Sequence, residues 1–342
     1  MKQSRRGFIT GLSAPLILGA TNKSGSKPPV LGSGNHVYEC IHDWGELPQD
    51  IKYGNTHGVC EDSQGHIYVH HTVNKDSVSH NSMVIFDHKG RYVDSWGPDF
   101  MGGAHGLYIH KEGREEFLYL CDTKRAVVVK TTLKGEVIWS IGYPEQSEPY
   151  KPGADGKKIK YSPTNLAIAP NGDIYVGDGY GSSYINQYNS KGEYIRTFGG
   201  KGKEPGKLDC PHGIIVDTRG PEPILMVADR ANNRIQRFTL EGKHVDFVSG
   251  TNLPCHFGFY KNGDTVVPDL GARVTLLDSK NQVIENLGDD SQSEWRKTRV
   301  MTRDHFTPGK FVCPHGACFD HSGNIFIVEW VEVGRVTKLR KA

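Results

Sequence analysis

Short stretches in which apolar and polar residues alternate recur along the chain, separated by turn sequences. Residues 166–169 alternate in this way, an Asn-Gly pair follows at 171–172, and another such stretch begins at Ile174. An Asn-Gly pair in this setting indicates a tight β-hairpin. A second turn at 190–192 leads to a closing stretch over residues 194–199. Because the period is two rather than 3.6, the pattern predicts a unit of four antiparallel strands.

This four-stranded unit occurs six times. The copies start at His57, His105, Asn165, His212, His256 and His315. Their spacings of 48, 60, 47, 44 and 59 residues fit a four-stranded blade, with insertions near residues 144–161 and 289–311. The sequence therefore predicts an all-β, six-bladed β-propeller of NHL-type repeats.

The two ends of the repeat region supply one blade together. The last copy contains only three strands, which end at residues 334–339, whereas residues 36–41 form an isolated strand before the first copy. Pairing this N-terminal strand with the C-terminal blade closes the ring and covers a free sheet edge. We therefore expect one propeller domain over residues 35–342.

Residues 1–30 differ in kind from the repeats. Arg5 and Arg6 precede an apolar stretch over residues 9–20 that is too short to span a bilayer. This order predicts a twin-arginine signal peptide and linker, and hence a periplasmic or secreted protein. The alternative is an ordinary helix start with two chance arginines. Because the twin-arginine exporter carries folded proteins, often with a cofactor inserted, the signal favours a metalloprotein.

Composition limits the partners. The 342 residues carry a formal net charge of +2, with 23% charged residues and no run of basic ones. We therefore expect no nucleic-acid partner and no membrane insertion after signal removal. A monomer that acts on a small molecule or a peptide is the expected form. The cysteines number seven and include no Cys-x-x-Cys pair, which argues against a zinc ribbon.

The starting positions of the six copies carry the candidate chemistry. The innermost strand of each blade lines the central channel, so these positions converge on the axis and bring together five histidines and one asparagine. Any one such histidine is more often a hydrogen-bonded residue at a strand start. Five imidazoles around one axis would be poorly satisfied without a metal, and neutral imidazole suits zinc, iron and copper. The set as a whole predicts a metal site.

Two repeat segments carry a resemblance to a known family. Residues 177–180 and 227–236, with the Pro-His starts at His212 and His315, resemble the catalytic domain of peptidyl-α-hydroxyglycine α-amidating lyase. The similarity covers nearly the whole propeller. In that family three histidines from non-adjacent blades hold a zinc ion. The resemblance assigns this role to His105, His212 and His315, and so implies zinc, with iron or copper as alternatives.

The resemblance also implies two catalytic residues. The family's base is a tyrosine in an Asp-Gly-Tyr motif, which matches Tyr180, and an arginine near the substrate matches Arg230. A nearby cation favours a phenolate, and an arginine can clamp a carboxylate through two hydrogen bonds. The competing interpretations are a turn tyrosine and a structural arginine, because Ala-Asp-Arg-x-Asn-x-Arg is common in non-enzymatic NHL repeats.

This sequence departs from the family at several positions. His70 and His71 stand where the family has a second arginine, and Gly316 replaces the aspartate that binds the family's calcium, which makes calcium doubtful. His57, His256 and His71 are additional candidates for metal or substrate binding. Three cysteines flank ring histidines, and as ligands they would favour copper or iron, although ordinary buried cysteines are the preferred interpretation. These cysteines are Cys210, Cys255 and Cys313.

The predicted function is a metal-dependent lyase that cleaves a carbinolamide C–N bond and releases an amide and glyoxylate. One alternative keeps the histidine ring for an oxidative or hydrolytic step on another small molecule. A second alternative is a non-enzymatic propeller that binds protein or carbohydrate. Aspartates and arginines that recur in several copies are interpreted as structural, namely Asp178, Asp229, Asp269, Arg234, Arg273 and Arg335.

Overall fold

The computed structural model describes residues 27–342, whose strands form six antiparallel sheets set in a ring. The predicted all-β, six-bladed propeller is confirmed. The arginines and the apolar stretch of the predicted signal peptide lie outside the described residues. Within residues 27–342, no helix combines the length and the apolar character needed to cross a membrane.

Two strands, β1 (Val30–Leu31) and β2 (Tyr38–His42), precede the first blade in the sequence. Within each of blades one to three, the four strands follow one another in sequence order from the axis outward. Blade one contains β3 (Thr56–Glu61), β4 (Ile67–His71), β5 (Met83–Phe86) and β6 (Tyr92–Trp96). Blade two contains β7 (Ala104–Glu112), β8 (Glu115–Asp122), β9 (Val127–Thr132) and β10 (Val137–Ile141). Blade three contains β11 (Asn165–Ile168), β12 (Ile174–Gly177), β13 (Tyr184–Tyr188) and β14 (Tyr194–Gly199).

Blades four and five repeat this order, and blade six completes the ring. Blade four contains β15 (Pro211–Asp217), β16 (Ile224–Asp229), β17 (Arg234–Thr239) and β18 (His244–Val248). Blade five contains β19 (Gly258–Phe259), β20 (Thr265–Asp269), β21 (Arg273–Leu277) and β22 (Val283–Leu287). Blade six contains β23 (Pro314–Phe319), β24 (Ile325–Glu329) and β25 (Arg335–Lys341), followed outward by β2 and β1.

Short helices lie in the connections between strands. One α-helix, α1 (Trp295–Thr298), and a 3-10 turn at Arg303–His305 fall in the second predicted insertion. Another 3-10 turn, Glu148–Tyr150, falls in the first. The insertions are therefore additions to the connections between blades and leave the sheets intact. Two further 3-10 turns are Pro98–Phe100 and Arg230–Asn232.

The N-terminal strand closes the ring as predicted. β2 pairs antiparallel with β25, from Tyr38 opposite Lys341 to His42 opposite Thr337. Tyr38 and Cys40 are each 2% exposed and belong to the hydrophobic cluster between blades five and six. The closing strand thus adds buried apolar surface as well as hydrogen bonds. β1 adds a fifth strand that the repeat pattern did not predict.

Hydrophobic side chains fill the spaces between neighbouring blades. In one cluster Val69 and Phe86 of blade one pack with Phe326 and Val328 of blade six, and none of the four exceeds 1% exposure. Burial of a side chain of this size contributes about 1.5 to 3 kcal/mol. Each blade is therefore held by both neighbours, and the inner strands are set on a rigid frame.

Recurring charged residues pair within the blades. A buried carboxylate at the end of the second strand receives hydrogen bonds from an arginine that begins the third strand, which supports the structural interpretation. In blade three, where no arginine follows, Asp178 accepts hydrogen bonds from the backbone of Ser162 and Ser182 and from the Tyr150 hydroxyl. The ion pairs are Asp229–Arg234, Asp269–Arg273 and Glu329–Arg335.

Candidate metal centre

The His-Gly pairs at the starts of four blades lie at β-bulges. In β3, β7, β15 and β23 the pairing with the next strand shifts register at this pair. A bulge leaves a residue out of the ladder and re-aims its side chain. β11 has no such shift, and its Asn165 pairs regularly with Gly177. The His-Gly sequence is therefore the local signal that turns a histidine toward the axis.

The glycine of each pair lets two inner strands meet. A Cβ atom at Gly106 would lie 2.6 Å from the carbonyl oxygen of Thr164, and one at Gly316 would lie 2.5 Å from that of His57. Gly58 and Gly213 are equally crowded by the following blade. No carboxylate fits at position 316, where the resembling family has its calcium-binding aspartate.

Four imidazoles form a compact cluster on the axis. The ring centroids of His105, His212 and His315 are separated by 4.6 to 4.8 Å. The ring of His57 lies 4.7 Å from that of His105 and 4.5 Å from that of His315. The exposed fractions of the four residues lie between 1% and 8%. The fold thus brings together the three predicted ligands and one of the additional candidates.

The three predicted ligands share one hydrogen-bonding pattern. Each Nδ1 atom faces a backbone carbonyl of the next blade, so Nδ1 carries the proton and Nε2 is the unprotonated nitrogen that carries the lone pair. A carbonyl acceptor behind the imidazole is the arrangement that orients metal-binding histidines. The Nδ1 to oxygen distances are 2.6 Å for His105 to Thr164, 2.8 Å for His212 to Cys255 and 3.0 Å for His315 to His57.

His57 joins the cluster in a different way. Its Nδ1 lies 3.3 Å from Nε2 of His315. Since His315 holds its own proton on Nδ1, His57 is the donor in this contact. The lone pair of His315 is therefore engaged by His57 as long as no ion takes its place.

Two other predicted histidines lie apart from the cluster. His256 is partly buried, and its Nδ1 faces the carbonyl oxygen of Ala317 at 3.3 Å. His71 packs against the ring of Tyr53, with 4.9 Å between ring centroids, and its Nδ1 accepts a hydrogen bond from Val73 N at 3.1 Å. Within residues 27–342, neither belongs to a group of side chains close enough to share an ion.

Burial keeps the clustered imidazoles neutral. It lowers the pKa of His105 to about 3 and holds the pKa values of the other three well below 6.5. The positive charge of Arg230 and the neighbouring imidazoles act in the same direction. Neutral imidazole is the form that binds metal, so protons do not compete for these nitrogens near pH 7.

Tyr180 places its hydroxyl between two of the predicted ligands. The oxygen lies 3.2 Å from Nε2 of His105 and 3.0 Å from Nε2 of His212. Arg230 donates to the same oxygen from Nη1 at 3.4 Å. Burial raises the pKa of Tyr180, and the opposing effect of Arg230 is smaller. Both predicted catalytic residues therefore adjoin the histidine cluster, with the phenol protonated.

Close backbone packing positions these two side chains. A Cβ atom at Gly179 would lie 2.6 Å from both the Pro211 carbonyl oxygen and the Thr164 hydroxyl, so the turn before Tyr180 lies tightly on the next blade. Arg230 begins the 3-10 turn after β16, and its backbone N–H donates to the carbonyl of Cys210 at 3.2 Å. Both turns follow the second strand of a blade, on the side of the ring where the histidines start.

Cys255 also lies at the cluster. The potential ligand atoms of His212, Cys255 and His315 all lie within 4.8 Å of one another, as do those of His57, His105 and His315. Arg230 Nη1 is 3.8 Å from Cys255 Sγ. The sequence placed this cysteine beside a ring histidine but could not reveal that its side chain faces His212, which lies in another blade.

An open cavity of about 560 Å³ borders the outer side of Tyr180. Ile159 of the first insertion, Tyr184, Lys201 and Asp209 contribute to its lining. A cavity of this size accommodates a small molecule or the end of a peptide. The tyrosine thus lies between the cavity and the histidine cluster.

No protein-family model matches the chain. The chain is similar to a probable peptidyl-alpha-hydroxyglycine alpha-amidating lyase of Caenorhabditis elegans, with 25% identity over 279 residues that cover 79% of this chain and 74% of that protein. Peptidyl-alpha-hydroxyglycine alpha-amidating lyase 1 of Drosophila melanogaster is 27% identical over 263 residues, 64% of this chain and 45% of the fly protein. The resemblance predicted from the repeat motifs is therefore confirmed. The chain spans less than half of the fly relative.

Solved structures share the architecture. A gluconolactonase of Xanthomonas campestris aligns with a TM-score of 0.59 at 15% identity, over 92% of this chain and 96% of that chain. A virginiamycin B lyase of Staphylococcus aureus aligns with a TM-score of 0.55 at 15% identity, over 88% of this chain and 99% of that chain. At this level of identity the likeness shows the propeller fold alone.

Proposed function

We propose that this protein is a metal-dependent lyase that cleaves the C–N bond of an N-acyl-α-hydroxyglycine and releases an amide and glyoxylate. The observation that carries the proposal is the position of the Tyr180 hydroxyl. It lies within 3.2 Å of Nε2 atoms of two candidate ligands and within 3.4 Å of a guanidinium nitrogen. The similarity to proteins named as amidating lyases supports the same chemistry.

The donor set suits a metal ion such as zinc. His105, His212 and His315 would hold it through Nε2, because their Nδ1 atoms are already bonded to backbone carbonyls. Three neutral imidazoles that leave a position open for substrate are a common catalytic arrangement, and zinc can expand to five ligands where a further protein donor is present. When bound, such an ion supplies positive charge that stabilises the oxyanion developing on the carbinol oxygen.

The protein's own side chains account for the proton and for binding. Tyr180 acts as a phenolate, which the guanidinium of Arg230 and a bound ion would favour, and it accepts the carbinol proton. The C–N bond breaks as the C=O bond of glyoxylate forms, and the departing amide nitrogen takes that proton back from the Tyr180 hydroxyl. The one phenol thus serves as the base for the hydroxyl group and as the acid for the amide nitrogen. Arg230, the cation at this position, binds the carboxylate of the hydroxyglycine.

Conversion of Tyr180 to Phe tests this assignment. Tyr180→Phe is expected to retain folding and metal content while lowering glyoxylate release from an N-acyl-α-hydroxyglycine by about 100-fold or more, the usual size of a general-base contribution. Tyr184→Phe is the matched control, because Tyr184 lines the same cavity without lying at the histidines. Equal loss in both variants, or none in Tyr180→Phe, would contradict the role. A wild type that binds metal but releases no glyoxylate would refute the proposed reaction.

A further inference from the structure

We propose that Cys255 is a ligand of the ion in the histidine ring, so that the site combines imidazole nitrogens with one thiolate sulfur. The inference rests on the metal dependence of the proposed function but not on its reaction. The supporting geometry is the group of His212, Cys255 and His315, whose ligand atoms lie within 4.8 Å of one another. Donors bound to one tetrahedral zinc ion are separated by about 3.3 to 3.6 Å, so an inward movement of about 1 Å is required.

The two groups of potential ligands describe one site. They share His315, and its Nδ1 is already bonded to the carbonyl oxygen of His57. Nε2 is therefore the only nitrogen that His315 can offer, and one lone pair binds one ion. Cys255 and His212 of one group and His57 and His105 of the other therefore all lie near the Nε2 atom of His315.

The charge of the cluster favours a thiolate. Within residues 27–342, no carboxylate belongs to either group of potential ligands. A divalent ion beside Arg230 would therefore lie among positive and neutral groups in a buried site, which is costly without an anion. A thiol that binds a metal loses its proton, and the resulting negative charge would lie between the ion and the guanidinium.

The surroundings of Cys255 leave its sulfur available. The residue is fully buried, and its Sγ has a single weak acceptor, the Leu253 carbonyl oxygen at 3.6 Å. Arg230 Nη1 lies 3.8 Å from the sulfur and donates toward it. Cys313 provides a contrast. It is equally buried and lies two residues before a ring histidine, yet it belongs to neither ligand group.

X-ray absorption at the metal edge of the purified wild-type protein tests the proposal without any variant. We expect one sulfur scatterer at about 2.3 Å together with nitrogen scatterers at about 2.0 to 2.1 Å. In protein reloaded with Co²⁺, a thiolate ligand adds an intense charge-transfer absorption in the near ultraviolet. This absorption should disappear in Cys255→Ser and Cys255→Ala and persist in Cys313→Ser, with circular dichroism used to verify that each variant folds.

The possible outcomes separate this proposal from the proposed function. Bound metal with nitrogen and oxygen scatterers only would overturn the cysteine ligand and leave the lyase intact. Charge-transfer absorption that persists in Cys255→Ser but is lost in Cys313→Ser would also overturn it. A sulfur scatterer in a protein that releases no glyoxylate would support the ligand and refute the reaction. Protein that binds no metal at all would refute both.

Discussion

At the scale of single residues, the direction of each imidazole matters more than its presence. His212 and His256 occupy equivalent positions in neighbouring blades, and both have Nδ1 facing a backbone carbonyl of the following blade. Only His212 belongs to a group whose ligand atoms converge. The repeat pattern predicts both positions, but it cannot tell which side chains reach the common point.

Replacing these two histidines separately distinguishes a ligand from a neighbour. His212→Ala is expected to weaken metal binding by more than about 100-fold, since even the loss of a partner behind a ligand costs about 10- to 100-fold. His256→Ala should keep close to the wild-type metal content. Elemental analysis of purified protein and Co²⁺ titration measure both. Equal metal loss in the two variants would mean that His256 is also a ligand.

At the scale of strands and turns, the sequence predicted what local signals determine. The Asn-Gly turns, the alternating strands and the His-Gly bulges depend on neighbours in the chain, so six blades and a ring of histidines could be predicted. The short inner strand β19 and the added strand β1 depend on packing between distant segments. For the same reason, the sequence could not predict that Cys255 lies close to histidines of two other blades.

The closing strand offers a test at this scale. Starting from a chain that begins at residue 27, removal of residues 27–42 should lower the midpoint of thermal unfolding by about 5 °C or more. It exposes the edge of β25 and deletes the buried Tyr38 and Cys40. Removal of residues 27–34 alone is the control, because Val30 in β1 is already 61% exposed. Differential scanning calorimetry compares the three chains, and similar midpoints would show that closure adds little stability.

At the scale of the whole molecule, the ring encloses histidines that cannot be protonated without cost. His70 and His71 are fully buried, and His70 has no hydrogen-bond partner at either ring nitrogen. Burial lowers their pKa values to about 4 and about 3. The unfolded chain, with values near 6.5, therefore binds more protons below neutrality, and the free energy of unfolding falls as the pH drops from 6.5 toward 4.

Export through the twin-arginine route stays a prediction.

This dependence can be measured by urea unfolding at pH 7.5 and pH 5.0 in the presence of a chelator. Acidification should lower the free energy of unfolding in both proteins. The loss should be about 2 kcal/mol smaller in His70→Gln than in the wild type, because the variant lacks one buried titrating group. His305→Gln should behave like the wild type, since His305 is exposed. If His70→Gln loses as much stability on acidification as the wild type, the unfavourable protonation must be assigned to other groups.

The hydrogen bond from each candidate ligand imidazole to the following blade ties the histidine cluster to the number of blades. His105, His212 and His315 come from alternate blades, and each Nδ1 is bonded to a backbone carbonyl in or just before the inner strand of the next blade, which for His315 is the first blade. Here one blade more or fewer would change the angle between ligands and separate a histidine from its acceptor. A chain with five or seven repeats is therefore expected to lose the histidine cluster even if its ring closes, whereas the two insertions show that the connections between blades accept added length.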